Sequence, residues 1–476
     1  MMSDSAPKPG TGIIHFGLGA FHRAHQAVYT QEAMDVAGGN WGIEPVSMRD
    51  PTLANILSRQ KGEYHVLTRA PVGPIVTPIT VFNRMWVLRD HPKQIAGRMA
   101  DPAVHVVTIT VTEKGYGADL ASRTLNRSDP VVAHDFAKPD APHGLVGILA
   151  LGLRERRRTG AGGLTLLSCD NLSSNGALLR KVLLDHVQTG DPDLAAWIDQ
   201  TCTFPSSMVD RIVPASNSRT FSDIEEIIGR QDRAAVETEP FRQWVIEDNF
   251  AGDRPPWDRA GALFVDDVAP YEHMKLRTLN GAHSLIACLG TVAGLECVRD
   301  VMANPQYRKL VLAYMAAAAK TLDATKQLDT ALYANDLVER FTNPQIEHAC
   351  RQIAMDGSQK MPLRVFSAAT DTLRLGGNVA PFALATALWI RHVVLAVTDA
   401  AFGKLDDPKA SQLAAIVREH HNSTVQLVRS IGQCVSQDND RLFSNEGFVE
   451  RVADSYDQTV RSGTDAAVGD VIGQTS

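Results

Sequence analysis

In the first half of the chain, short β-branched runs alternate with segments whose apolar residues recur every three or four positions. Residues 12–16 (GIIHF), 42–48, 104–111 and 164–168 read as strands, with 244–247 as a weaker one. Between them, 20–36, 52–59, 92–99 and 175–187 read as helices, the third opening on a proline at a position helices tolerate. That alternation predicts an α/β sheet layered with helices. From about Tyr271 the pattern changes. Long stretches rich in Ala, Leu, Arg and Glu, such as 309–321 and 381–397, predict a mainly helical second half. The Pro- and Asp-rich stretch 253–270 separates the two textures, so the expected domains are 1–268 and 269–476. The ERRR at 155–158 reads as a solvated helix end, and the last dozen residues as a mobile tail.

The chain has 476 residues, 44% of them hydrophobic and 21% charged, which excludes a small stapled scaffold and a disordered chain. A formal charge of −7 gives no electrostatic reason to expect a nucleic-acid partner. Six scattered cysteines contain no CxxC and no zinc-ligand spacing, so they read as reduced thiols and no metal is expected. The start, MMSDSAPKPGTG, has no apolar signal-like region, and apolar stretches such as 310–319 are too short to span a bilayer. The expectation is a cytoplasmic protein with no membrane anchor.

Candidate chemistry begins where the first strand ends. Gly17-Leu18-Gly19 makes a Gly-x-Gly turn between that strand and a helix, where backbone N–H groups can meet a pyrophosphate. The third glycine of the usual fingerprint is missing, and a ligand-free turn reads about as well. After the next strand, Asp50 could accept from a ribose 2′-OH, whereas the adjacent Arg49 could hold a 2′-phosphate. A solvated loop pair is the plain alternative.

The richest stretch is Tyr271 to Ser284, YEHMKLRTLNGAHS. At about 100° per residue, Glu272, Lys275, Asn280 and His283 share an arc of roughly 140° on one helix. A lysine desolvated there could serve as a base, Asn280 could donate to an oxyanion, and His283 could orient the same hydroxyl. Solvated Lys275 and Arg277, with ordinary helix-borne polar residues at 280 and 283, remain the bland reading. A second polar cluster, SCDNLSSNG at 168–176, follows a strand, and includes Asn171 beside the possible helix caps Ser174 and Asn175. A third, MVDRIVP at 208–214, holds Asp210 and Arg211, which could form a structural ion pair.

At these residues the sequence resembles the polyol-specific long-chain dehydrogenases, the family of mannitol 2-dehydrogenase, fructuronate reductase and arabinitol dehydrogenase. The phrases are GLGAFHRAHQ at 17–26, TVTEKGY at 110–116, SCDNLSSNG, MVDRIVP and MKLRTLNGAHS at 274–284. The resemblance implies an expanded Rossmann-type domain followed by a mainly α-helical domain, with metal-independent, NAD(P)-dependent oxidation of a secondary alcohol. It makes Lys275 the general base, Asn171 and Asn280 the oxyanion holders, His283 the residue that positions substrate, and Glu272 a proton carrier. Asp210 and Lys360 become substrate contacts, with Gly17, Gly19, Phe21, Arg49, Asp50 and Glu113 at the cofactor. It also implies a chain that can act as a monomer.

Within RQIAMDGSQK at 351–360, Gln352 stands where the mannitol enzymes would have an arginine, with Arg351 adjacent. Arg364 is a further candidate to meet a carboxylate or hydroxyl groups. The leading expectation is an NAD-preferring enzyme for D-mannitol and D-fructose, with D-mannonate and D-fructuronate as the close alternative and D-arabinitol behind them. A non-catalytic sugar or nucleotide sensor is disfavoured by the complete set Lys275, Asn280 and His283.

Overall fold

The structure, a computed structural model, describes residues 8–120, 122–322, 329–345, 348–436 and 441–475. Residues 1–7 of the polar start and Ser476 of the expected tail lie outside them. The chain forms two compact units, 1–269 and 270–476.

The first unit is built on a five-stranded sheet ordered Trp86–Val87, Gly42–Ser47, Thr11–Phe16, Val106–Ile109, Thr165–Ser168, with every pairing parallel. Alternate side chains feed two cores. Ile14, Phe16, Val107 and Leu166 pack with Leu149 and Leu179 on one face, while Ile13, Ile43, Val106 and Leu167 pack with Val28, Trp244 and Trp257 on the other. Burial on both faces explains why these strands read as unbroken apolar runs. The chain leaves the Thr11–Phe16 strand in one direction across the sheet and later returns on its other side at Val106–Ile109, so the sheet has a topological switch at its first strand.

Several expectations need correction. Residues 20–36 are two helices, Ala20–Ala24 and Gln26–Ala37, because His25 (φ −128°, ψ −87°) leaves helical geometry. Its Nε2 lies 3.0 Å from the Gln243 carbonyl. The 253–270 stretch is no plain linker, since Leu263–Val265 pairs in parallel with Gln243–Glu247 and Trp257 is fully buried. Within the ERRR, Arg156 is buried at the end of Leu145–Thr159 and donates to the carbonyls of Met99, Asp101, Val104, Ala161 and Gly162 at 2.8–3.1 Å. Strands Tyr64–Ala70 and Gly73–Ile79 went unread because Pro74 and Pro78 break the alternation of the second.

The second unit is helical. Its apolar helix Ala380–Thr398 is long enough to cross a membrane, unlike the shorter stretch considered from sequence, but 72% of its apolar window is buried inside the protein. That is a core helix. The expected mobile tail is instead the helix Thr464–Thr475, which buries Ala467, Val468 and Val471.

Candidate functional site

The carboxyl ends of parallel strands in the first unit carry most of its candidate residues. Gly17 follows the first strand at φ +104°, with its N–H donating to Val46 O at 3.0 Å. A Cβ there would lie 1.8 Å from Thr110 O, so only glycine fits this crossing. His15, fully buried, donates from Nε2 to Gly17 O at 3.0 Å and accepts the Thr108 hydroxyl at Nδ1 at 2.8 Å. Burial holds it neutral, with its pKa pushed down to about 3. The turn is thereby fixed from beneath, while a Cβ on Gly19 would meet nothing within 4 Å. A backbone turn with open space before it fits a dinucleotide's pyrophosphate. Phe21 lies in the next helix and stacks on His25 with ring centroids 4.9 Å apart.

Arg49 and Asp50 are both exposed just beyond Gly42–Ser47. One Asp50 oxygen accepts from Thr52 N–H at 2.9 Å, and the Thr52 hydroxyl together with that N–H holds its carboxyl below the usual range. Asp50 is thus tied to its own turn and exposed, which leaves both the solvated loop pair and the ribose partner open. Glu113 is exposed in the 3-10 turn Glu113–Tyr116 that follows Val106–Ile109, and Asn171 is exposed after Thr165–Ser168.

These last two loops are clamped together. Asp170 accepts from Tyr116 Oη at 2.6 Å and from Val111 N–H at 3.2 Å, while Tyr116 Oη also lies 2.6 Å from Ser168 Oγ. Burial pushes the Asp170 carboxyl up to about 7. Asn175 caps no helix end by its side chain. It bridges Asp170 O at 2.9 Å to Ser207 O at 2.8 Å and accepts Ser207 N–H at 3.0 Å. That ties the Asn171 loop to the strand Ser207–Asp210, which ends on buried Asp210. Arg211 sends its guanidinium to the carbonyls of Ala24 and Glu239.

In the second unit the expected single helix over Glu272 to His283 is interrupted. Helix Ala269–Met274 passes into a π-helical segment, Lys275–Asn280, and then into helix Gly281–Ala293. The Thr278 hydroxyl takes the Met274 carbonyl at 2.5 Å, competing with the backbone ladder, and i→i+5 pairing turns less than 100° per residue. The roughly 140° arc of a regular α-helix therefore does not hold, although all four residues remain on one continuous run. Lys275 and His283 are each buried to 8% exposure, Asn280 is half-buried, and Glu272 is partly exposed. His283 Nε2 has no hydrogen-bond partner among the described residues. Burial and the nearby His348, Arg340 and Arg364 hold the ring neutral. Arg277 is not solvated; it pairs with Asp371 at 2.6 Å.

A second dislocated run, Gly357–Met361, π-helical Pro362–Phe366 and Ser367–Arg374, carries the other two candidates. Pro362 supplies no N–H to the ladder, which accounts for the dislocation. Arg364 Nη1 reaches Ser284 Oγ at 3.3 Å, while Lys360 Nζ donates to Ile353 O at 3.2 Å and Met355 O at 2.5 Å. Among the described residues no group of three or more His, Cys, Asp or Glu side chains is placed to hold a metal ion.

The family models for the mannitol dehydrogenase Rossmann domain and the mannitol dehydrogenase C-terminal domain match residues 11–259 and 267–460. The chain belongs to the mannitol dehydrogenase family. As an oxidoreductase of that family, it is 39% identical to D-mannonate oxidoreductase of Escherichia coli (strain K12), over 95% of this chain and 93% of that protein. It is 32% identical to mannitol 2-dehydrogenase of Aspergillus terreus, over 95% and 91% of the two chains. The solved Pseudomonas fluorescens mannitol 2-dehydrogenase ternary complex with NAD and D-mannitol superimposes with a TM-score of 0.81 at 29% identity, covering 98% of this chain and 95% of that one. The Rossmann-type unit followed by a helical unit is thus the family's architecture.

The reading of this family member from sequence passed over Arg340 and His348, which flank His283. His283 and His348 meet edge-on at 5.2 Å, and Arg340 is buried in Thr330–Thr342. A signal was present, because Arg340 falls on the same helix face as Tyr333, Leu337 and Phe341, an apolar stripe where an arginine is out of place.

Proposed function

We propose that this protein is an NAD-dependent oxidoreductase that interconverts a linear polyol or sugar acid and its ketone at a secondary alcohol. The observation that carries the reading is the buried Lys275 on one helical run with Asn280 and His283. Gly17, Gly19, Phe21, Asp50 and Glu113 would hold NAD at the carboxyl edge of the parallel sheet, with exposed Arg49 beside the ribose. When bound, the nicotinamide supplies a hydride acceptor.

In the oxidative direction, Lys275 Nζ takes the hydroxyl proton as the carbon gives up its hydride. Glu272 passes that proton on toward solvent. Asn171 and Asn280 donate to the oxygen as it gains negative charge, and neutral His283 orients the hydroxyl without adding a cation. Asp210 and Lys360 contact further hydroxyls. No step calls for a metal.

Two substrate pairs have specific support: D-mannitol and D-fructose from the structural similarity, and D-mannonate and D-fructuronate from the 39% identical relative. NADH consumption with fructose, xylulose, tagatose and fructuronate at neutral pH tests the activity. Turnover of at least one linear ketose is expected; NADH binding with no turnover of any would overturn the reading.

A further inference from the structure

The cations of the second unit differ in how their charge is met. Arg277 pairs with Asp371 at 2.6 Å, and Arg429 pairs with Glu446 at 2.7 Å. Lys360 lies 3.9 Å from Asp356 and caps two main-chain carbonyls. Arg351 is exposed, with its guanidinium 4.9 Å from the centroid of the Phe402 ring, and Gln352 is exposed beside it. Arg364 has none of these partners. Its guanidinium makes one bond, at 3.3 Å to the neutral Ser284 hydroxyl, and meets no carboxylate among the described residues.

Arg364 is half-buried; a guanidinium partly withdrawn from water without an anion is poorly compensated, and its planar fork matches a carboxylate well. Desolvation pushes Arg364 down to about 10, and burial, reinforced by His348, Arg340 and Arg364, keeps His283 neutral. The site is also held in place. Tyr314 Oη donates to Arg364 O at 3.1 Å, and a Cβ on Gly281 would lie 2.9 Å from that same carbonyl, so the two helical runs press together at this point. Next to Ser284, the His283 Nε2 is buried and without a hydrogen-bond partner among the described residues. The Ser284 hydroxyl passes its own proton to Asn280 O at 3.1 Å and accepts from Arg364, so the remaining N–H groups of this cation are the donors left for a carboxylate.

We propose that Arg364 is the specificity-determining residue of the site and selects a substrate with a terminal carboxylate, so that a ketoaldonate and its aldonate are preferred over a neutral ketose and its polyol. The inference deepens the proposed activity and rests on it.

The test compares NADH oxidation with D-fructuronate and D-fructose for the wild type, Arg364→Gln and Arg364→Lys, together with direct titration of D-mannonate and D-mannitol into the NADH-bound protein. The wild type should show the higher kcat/KM for fructuronate, and added salt should weaken fructuronate use first. Arg364→Gln should lose a hundredfold or more on fructuronate, mainly in KM, against about tenfold on fructose. Arg364→Lys, which keeps the charge and loses the fork, should fall between them. Equal losses on both ketoses, or a wild type that favours fructose, would overturn the inference while leaving the oxidoreductase reading intact. If neither ketose turns over, but mannonate binds and Arg364→Gln abolishes that binding, the activity reading fails and the carboxylate site stands. Should both variants fail to fold, a wild type whose use of both ketoses weakens equally with salt, or that favours fructose, still overturns the inference.

Discussion

The two units present their candidate residues in different ways. In the first, the ligand-facing groups are backbone and loop positions fixed by ladder hydrogen bonds, with His15 and Thr110 bracing Gly17 and the Asp170–Tyr116 clamp joining adjacent loops. In the second, long side chains project from helices whose hydrogen-bond ladders are dislocated at Lys275–Asn280 and Pro362–Phe366. π-helical segments are rare and concentrate at functional sites. A backbone cradle suits a cofactor that is the same in every turnover, whereas side chains on separate helical runs can be exchanged one at a time to change the substrate. The Gly17 turn of the first region should therefore tolerate few substitutions and affect cofactor binding, whereas the side chains of the second should affect chemistry and selectivity.

Substitutions on either side would break this contrast if it is wrong. Lys275→Ala should have the largest effect, lowering kcat by about 10²–10⁴-fold with NADH affinity nearly unchanged, because proton removal and not cofactor docking is lost. Gly17→Ala should act on the opposite side. A Cβ against Thr110 O at φ +104° should cost about 2 kcal/mol or more of stability and weaken NADH binding, as read by thermal unfolding and by fluorescence titration.

A smaller effect is expected at Asp50. Removing its carboxylate should raise activity with NADP relative to NAD by roughly tenfold, since that charge would repel a 2′-phosphate. If the wild type already prefers NADP, Arg49 reads the ribose instead.

Asp170 gives a pH signature confined to the first unit. Its folded pKa of about 7 exceeds the ordinary 3.8, so its contribution to stability is fully present below about pH 3.8 and is lost as pH rises through 7. Asp170→Asn keeps an oxygen for Tyr116 and Val111, and should remove that loss. Unfolding midpoints at pH 5 and pH 8 should then differ less in the variant than in the wild type. The smallest effect is expected from prolonged EDTA treatment, which should leave activity unchanged; loss restored by zinc would reveal a missed site.

The sheet was legible because strands buried on both faces leave unbroken runs such as GIIHF, and the Gly17 turn follows directly from where the first run stops. The residue types of the second site were legible too, but their arrangement was not. A period of 3.6 cannot foresee a π segment that depends on the Thr278 hydroxyl taking the Met274 carbonyl, or on Gly281 lying under Tyr314. The break at His25 was hidden for a similar reason, since the ring answers to a carbonyl 218 residues away. Nor could spacing show that Lys360 donates to two main-chain carbonyls of its own segment while Arg364, four residues on, meets only a hydroxyl among the described residues.

The central claim is that the second unit decides the chemistry through Lys275 while the first binds the cofactor independently of it. The most direct test measures NADH affinity and ketose-dependent NADH oxidation on the same preparations of wild type and Lys275→Ala, with fructuronate and fructose as substrates. The account predicts matching NADH dissociation constants and a turnover loss of at least a hundredfold. Retention of more than about a tenth of wild-type turnover, less than ~1.4 kcal/mol of barrier, would contradict it.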